Sequence, residues 1–125
     1  MKSKAIPATT SPTIRDIAWA AGFLEGEGYF GLHTGLWISE RIQARQNDPE
    51  CLDRLQTIFG GYRSKITQRC NKLSNKPTIE DWAVYGPRAK GIMMTVFPFM
   101  SARRKDQIKA VLEGRKIKIY KERLE

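Results

Sequence analysis

Ala18, Gly22 and Gly26 recur at every fourth position and run into the stretch Ala20-Ala21-Gly22-Phe23-Leu24-Glu25-Gly26-Glu27-Gly28. On a helix, that spacing strips one side down to small residues, so that a second backbone can approach closely. Each interior glycine costs about 1 kcal/mol relative to alanine. A chain that accepts this twice in one short helix needs tight helix–helix contact on that side. Ile14, Ile17, Ala21 and Leu24 follow the helical period on the other side and are expected to form its core stripe. Thr13 is the expected N-cap, Asp16 completes a capping box, and Gly28 ends the helix. Glu27 then sits at the negative end of the helix dipole, an unfavourable place for a carboxylate that a bound cation would reverse.

The remaining chain reads as alternating short elements. Tyr29 to His33 is a strand with Phe30 and Leu32 on one face, and Thr34-Gly35 is a turn. From Trp37 to Gln46 a second strand sets Ile38, Ile42 and Ala44 against Trp37, Ser39, Arg41, Gln43 and Arg45. Asn47-Asp48-Pro49 opens a helix with a cap residue and a proline in the first turn. Leu52, Leu55, Ile58 and Phe59 make its stripe, and Gly60-Gly61 closes it. A third strand from about Tyr62 to Arg69 is expected to place Arg63, Lys65, Thr67 and Arg69 on one face and Ile66 on the other. After a basic loop, a fourth strand from Ile79 to Tyr85 turns Trp82 and Val84 inward, leaving Asp81, Ala83 and Tyr85 outward. Gly86-Pro87 starts a helix interrupted at Pro98, and a last helix runs from about Ser101 to Leu112. The pattern predicts an α+β fold: two antiparallel hairpins in a four-stranded sheet, helices on one face, and a polar, basic opposite face.

The formal net charge is +9, from 22 Lys and Arg against 13 Asp and Glu, and an excess of that size on a small domain calls for a polyanionic partner. Between Gly61 and Pro77 there are five basic residues and no acidic one. No apolar run is long enough to cross a membrane, so no membrane partner is expected. Residues 1–12 read as a flexible leader, 13–114 as one domain and 115–125 as a basic tail. Cys51 and Cys70 have no CxxC partner and there is a single histidine, His33, which argues against zinc.

With Trp19 before it and Tyr29-Phe30 after it, the stretch from Ala20 to Gly28 resembles the signature of LAGLIDADG homing endonucleases. The departures are Ala20 for the leading leucine, Phe23 for the central one, and glutamates where aspartates are commonest. The order helix, hairpin, helix, hairpin, helix, helix also resembles that family's core, extending the likeness over residues 13 to 114. What the resemblance implies is a site-specific double-strand DNA endonuclease, encoded in an intron, whose sheet forms a saddle over the DNA major groove. A chain with one motif would work as a homodimer on a near-palindromic site, packed through Ala18, Gly22, Glu25 and Gly26. Glu27 would bind Mg²⁺, with Mn²⁺ able to substitute and Ca²⁺ binding without supporting cleavage, and the Gly26 carbonyl would be an additional ligand. Gln46 falls where the family has a polar residue near the metal. Arg103, with Lys105 close behind, falls where it contributes a basic active-site group. The setting implied is intracellular, in an organelle (mitochondrion or chloroplast) or a prokaryotic cytoplasm.

On an outward sheet face, long polar side chains suit purine edges, arginine to guanine and glutamine to adenine. The candidates for DNA contact are His33, Trp37, Ser39, Arg41, Gln43, Arg45, Arg63, Lys65, Thr67, Arg69 and Tyr85, with Lys72 and Lys76 as phosphate contacts. Two alternatives stand beside the nuclease: a non-cleaving relative acting as an RNA maturase on intron RNA or as a DNA-binding regulator, and an unrelated basic RNA-binding protein.

Overall fold

The structure is a computed structural model that describes residues 5–8, 11–67 and 78–114. Its elements follow the order α1 (Ile14–Glu27), β1 (Gly28–Thr34), β2 (Ile38–Gln46), α2 (Pro49–Phe59), β3 (Tyr62–Thr67), β4 (Thr78–Tyr85), α3 (Gly86–Val96), a 3-10 turn (Phe97–Phe99) and α4 (Ala102–Leu112). The four strands form one antiparallel sheet in the order β1-β2-β4-β3. The expected α+β architecture is therefore the observed one.

The local signals act as expected at the helix starts. Thr13 accepts from the Asp16 amide at 3.1 Å while Asp16 accepts from the Thr13 amide at 3.0 Å, closing the capping box. Asp48 caps α2 by accepting from the Glu50 amide at 3.0 Å, with Pro49 in the first turn. Gly28 ends α1 for lack of room rather than for conformational freedom. Its φ is an ordinary −84°, but a Cβ there would lie 2.8 Å from the Leu24 carbonyl oxygen and 2.9 Å from its Cδ2. Gly60 and Gly61, at φ 75° and 109°, do need glycine, and the bend they make sends the chain from α2 into β3.

The helices cover one sheet face. Leu24, Phe30, Ile42, Leu52, Leu55, Trp82, Val84, Met93 and Ile108 meet in a single core, and Trp82 donates its indole N–H to the Gly60 carbonyl at 2.8 Å. Ile14 departs from expectation: it is 71% exposed and takes no part in that core. It lies on the Ala18/Gly22 side of α1, one turn before Ala18, and the buried residues of α1 are Ala20, Ala21 and Leu24. The leader is also not wholly free. Ile6 pairs antiparallel with Gly61 through backbone bonds of 3.0 and 2.8 Å, and Arg88 donates to the Ile6 carbonyl at 3.0 Å.

Candidate nucleic-acid interface and acidic site

Strand register decides which side chains share the uncovered face. Tyr29 lies opposite Gln43, Gln43 opposite Ala83 and Ala83 opposite Tyr62, so these four stand on one face. With them go His33, Ser39, Arg41, Arg45, Asp81 and Tyr85, all on the side away from Ile42 and Val84. His33, Ser39, Arg41, Gln43, Arg45 and Tyr85 are thus placed together as expected. Trp37 lies just outside β2, in the turn, and is 79% exposed.

Arg63 and Lys65 are not on that face. Arg63 pairs with Trp82, Lys65 with Glu80 and Thr67 with Thr78, which puts β3's charged positions on the helix-covered side. Arg63 is held there by Asp53 of α2 and by Glu80 at 2.9 Å, and Lys65 lies 3.9 Å from Glu80. The expected parity of β3 is corrected by these ion pairs: Tyr62, Ser64 and Ile66 face outward instead. Alternating charge on an edge strand suggests a ligand face, but here the covering helix α2 supplies a counter-charge through Asp53. Arg69, Lys72 and Lys76 lie outside the described residues.

The outward face is more ordered than a row of free cations. Asp81, whose side chain is 11% exposed, accepts from Gln43 Nε2 at 2.8 Å and from Arg45 Nε at 3.1 Å through the same oxygen. Both cross-strand bonds fix the rotamers of side chains expected to project freely. The Arg41 guanidinium sits 5.1 Å from the Tyr29 ring centre, and its buried Nε has no hydrogen-bond partner. A Cβ at Gly31 would collide with that Tyr29 ring. Tyr85 packs edge-on against His33 at 5.1 Å and Tyr62 at 5.8 Å.

At the foot of this face, an open cleft of about 520 Å³ is lined by Glu27, Tyr29, Arg41, Gln43, Ala44 and Arg45. Glu27 is exposed and accepts from Gln46 Nε2 at 3.0 Å, so two residues distant in sequence meet as expected. Glu25 points to a different partner. Its carboxylate accepts from the Ser101 amide at 2.9 Å and the Ser101 hydroxyl at 2.7 Å, which ties the end of α1 to the start of α4. The backbone bond first, then the hydroxyl bond and the nearby Arg104 and Arg103 charges, hold the Glu25 carboxyl below the usual glutamate range.

Among the basic residues at the start of α4, Arg104 is the one that reaches α1. It is 7% exposed, donates from Nε to the Glu25 carbonyl at 3.0 Å and from Nη1 to Gln107 at 2.8 Å. A buried cation on a helix's last carbonyls offsets the dipole end on which Glu27 sits. Arg103 is exposed, and Lys105 Nζ lies 5.5 Å from the Phe97 ring. Sequence reasoning passed over Arg104; its position three residues after the cap Ser101 was the available signal.

Ala18, Gly22 and Gly26 are exposed, and a Cβ built at Gly22 or Gly26 meets no atom within 4 Å. Among the described residues nothing covers this side of α1. Among the described residues, no cluster of three or more His, Cys, Asp or Glu forms a metal site, and no helix is long and apolar enough to cross a membrane.

No family model matches the sequence. Among solved structures, the chain is similar to a group I intron-encoded homing endonuclease, I-CeuI, complexed with DNA: 16% identity and a TM-score of 0.54, covering 83% of this chain and 55% of that one. The chain shares the α+β fold of that structure. The chain spans about half the length of the structure it matches.

Proposed function

We propose that this protein is a site-specific DNA endonuclease that acts as a homodimer, with the uncovered sheet face on duplex DNA and Glu27 at the cleavage centre. The observation that carries the proposal is the placement of Glu27. It lies at the end of a helix with an uncovered small-residue side, bonded to Gln46, at the mouth of a cleft lined by Arg41 and Arg45. The net charge and the DNA-complexed protein of the same fold support a nucleic-acid partner.

Packing of two copies through Ala18, Gly22 and Gly26 brings both Glu27 side chains toward a two-fold axis. One chain alone offers few hard oxygen donors: the Glu27 carboxylate and the Gly26 carbonyl. Mg²⁺ takes six oxygen ligands and keeps several waters, so this donor set fits a Mg²⁺ shared with a second copy and with DNA phosphate. Bound there, the ion would supply charge neutralisation and a more acidic water. Gln46 orients the Glu27 carboxylate through their hydrogen bond. Arg104 and the Glu25–Ser101 contact fix the helix end that carries Glu27.

The test begins with selection of a binding sequence from random duplexes by the wild-type chain. Plasmid bearing that sequence is then incubated in Mg²⁺, alongside a mobility shift in Ca²⁺. Wild type should cut both strands, and Glu27→Gln should bind equally well and cut at least about a hundredfold more slowly, as expected for loss of a metal-holding charge. Tight binding with no cutting by wild type would favour the regulator or maturase alternative. A Glu27→Gln variant that cuts normally would remove Glu27 from the chemistry.

A further inference from the structure

The least expected surface on the molecule is the tip of the β1–β2 hairpin. Thr34 still pairs with Ile38, so the loop is only Gly35, Leu36 and Trp37, closed by a bond of 3.3 Å from the Gly35 amide to the Trp37 carbonyl. Leu36 is 92% exposed and Trp37 79%, two large apolar side chains side by side at the end of a basic face. Single exposed apolar residues are ordinary, but an adjacent pair at a short, hydrogen-bonded tip points to a contact. The tip is braced from behind: His33 Nε2 would lie 3.2 Å from a Cβ at Gly35, and His33 packs on Tyr85, which packs on Tyr62.

We propose that Leu36 and Trp37 form a wedge that enters the base stack of duplex DNA. This rests on the DNA-binding function proposed above. Two side chains are too small for a protein–protein interface, which needs roughly 800 Å² per partner, but they match a single base step. Apolar wedges on cationic surfaces partly unstack one step and kink the duplex. The charge around the tip suits this partner. Glu40, the acid nearest the tip along β2, is turned toward the helices and only 6% exposed, with Lys90 at 3.9 Å. Asp81 lies toward the opposite end of the sheet, across from Arg45.

The fold also sets where the wedge acts. β1 is seven residues long, so at roughly 3.3 Å per residue the tip is about 20 Å from the α1 end that carries Glu27. At about 3.4 Å per base pair, that is roughly six base pairs from the cleavage centre, on each side of a two-fold site. Pyrimidine–purine steps, TA and CA/TG, unstack most easily. The preferred target therefore carries such a step about six base pairs either side of its centre, without a hydrogen-bonding side chain to read it.

The experiment uses the full chain and a duplex selected by wild type from a random library. Trp82 is fully buried and Trp19 is half-buried against Phe23 at 5.5 Å and Arg54 at 4.1 Å, so Trp37, 79% exposed, is the most iodide-accessible of the three tryptophans. Binding should protect its emission from iodide. 2-Aminopurine placed about six base pairs from the centre should brighten at least twofold with wild type, and stay dark with the Leu36→Ser/Trp37→Ser variant. Selection repeated with that variant should lose the pyrimidine–purine preference while keeping the central sequence. Continued iodide access in the complex, an unchanged 2-aminopurine signal, or an identical consensus from the variant would each overturn the wedge while leaving DNA binding intact. If wild type enriches no sequence at all, the wedge falls together with the proposed function.

Discussion

Arg63→Ala separates the two faces of the sheet. On an outward reading face, its loss would change sequence preference and leave stability alone. In the structure its side chain is 15% exposed and holds Glu80, whose side chain is 12% exposed, at 2.9 Å. Removing it leaves a mostly buried carboxylate with Lys65 at 3.9 Å, a lysine whose side chain is 73% exposed. Loss of a charged hydrogen bond of this kind costs about 1.5–3 kcal/mol. The Asp53 arm, with a side chain 67% exposed, adds at most about 0.5 kcal/mol, as exposed pairs do. The sum, about 2–3 kcal/mol, corresponds to a melting temperature lower by roughly 8–12 °C for a domain of this size. Because an apolar replacement of a buried pair is often neutral, Arg63→Met/Glu80→Met should recover more than half of that loss. Thermal unfolding by circular dichroism measures both variants, and selection from random duplexes measures preference. An unchanged melting temperature together with a relaxed consensus would show that β3 presents its charges outward, and the register argument would be wrong.

Other expectations follow from the same geometry. Among the described residues, a Cβ at Gly22 meets nothing within 4 Å beyond its own helix, so Gly22→Ala should stabilise the isolated fold by up to about 1 kcal/mol through helix propensity. Gly22→Leu should leave the fold intact and abolish dimers in sedimentation, and persistence of dimers would place the interface elsewhere. Asp81→Ala frees Gln43 and Arg45, so selected sequences should lose information where these two read, while total affinity holds or rises as a negative charge is removed; an unchanged consensus would deny Asp81 a positioning role. The lowered Glu25 carboxyl has a definite sign. Its contribution is fully present above the ordinary glutamate value of about 4.3 and is lost as pH falls through the lower folded value. Wild type should therefore lose part of its stability advantage over Glu25→Gln only on the acid side, and a constant difference from pH 7 to 3 would contradict the contact.

The helices and the core were legible because each has local causes. Thr13 with Asp16 and Asp48 with Pro49 fix helix starts within a few residues, and the Leu52/Leu55/Ile58/Phe59 stripe has one compatible period. β2 was legible for the same reason, apart from Glu40, whose place on the apolar face is balanced by Lys90 on α3. β3 was not. Tyr62-Arg63-Ser64-Lys65-Ile66-Thr67 has no strong apolar alternation, so its parity depends on the bend at Gly60-Gly61 and on Asp53, a helix residue ten positions away. Of the site, the family resemblance put Gln46 near Glu27, and the structure joins the two by a hydrogen bond of 3.0 Å. Asp81 bridging Gln43 and Arg45, and Arg104 on the Glu25 carbonyl, arise from side chains meeting across elements, which no local spacing encodes.

The bridge between Ile6 and Gly61 has a consequence for how copies of this chain avoid one another. β3 is an edge strand, and an open edge presents amides and carbonyls that template pairing with a neighbouring molecule. Ile6 occupies the first rung of that edge with two backbone bonds, and Arg88 secures its carbonyl from α3. Further along, the exposed Lys65 adds charge that discourages a second strand from docking. The segment ahead of α1 thus contributes little to the core but acts as a guard on the sheet, and its removal would expose a strand-pairing surface on an otherwise intact fold.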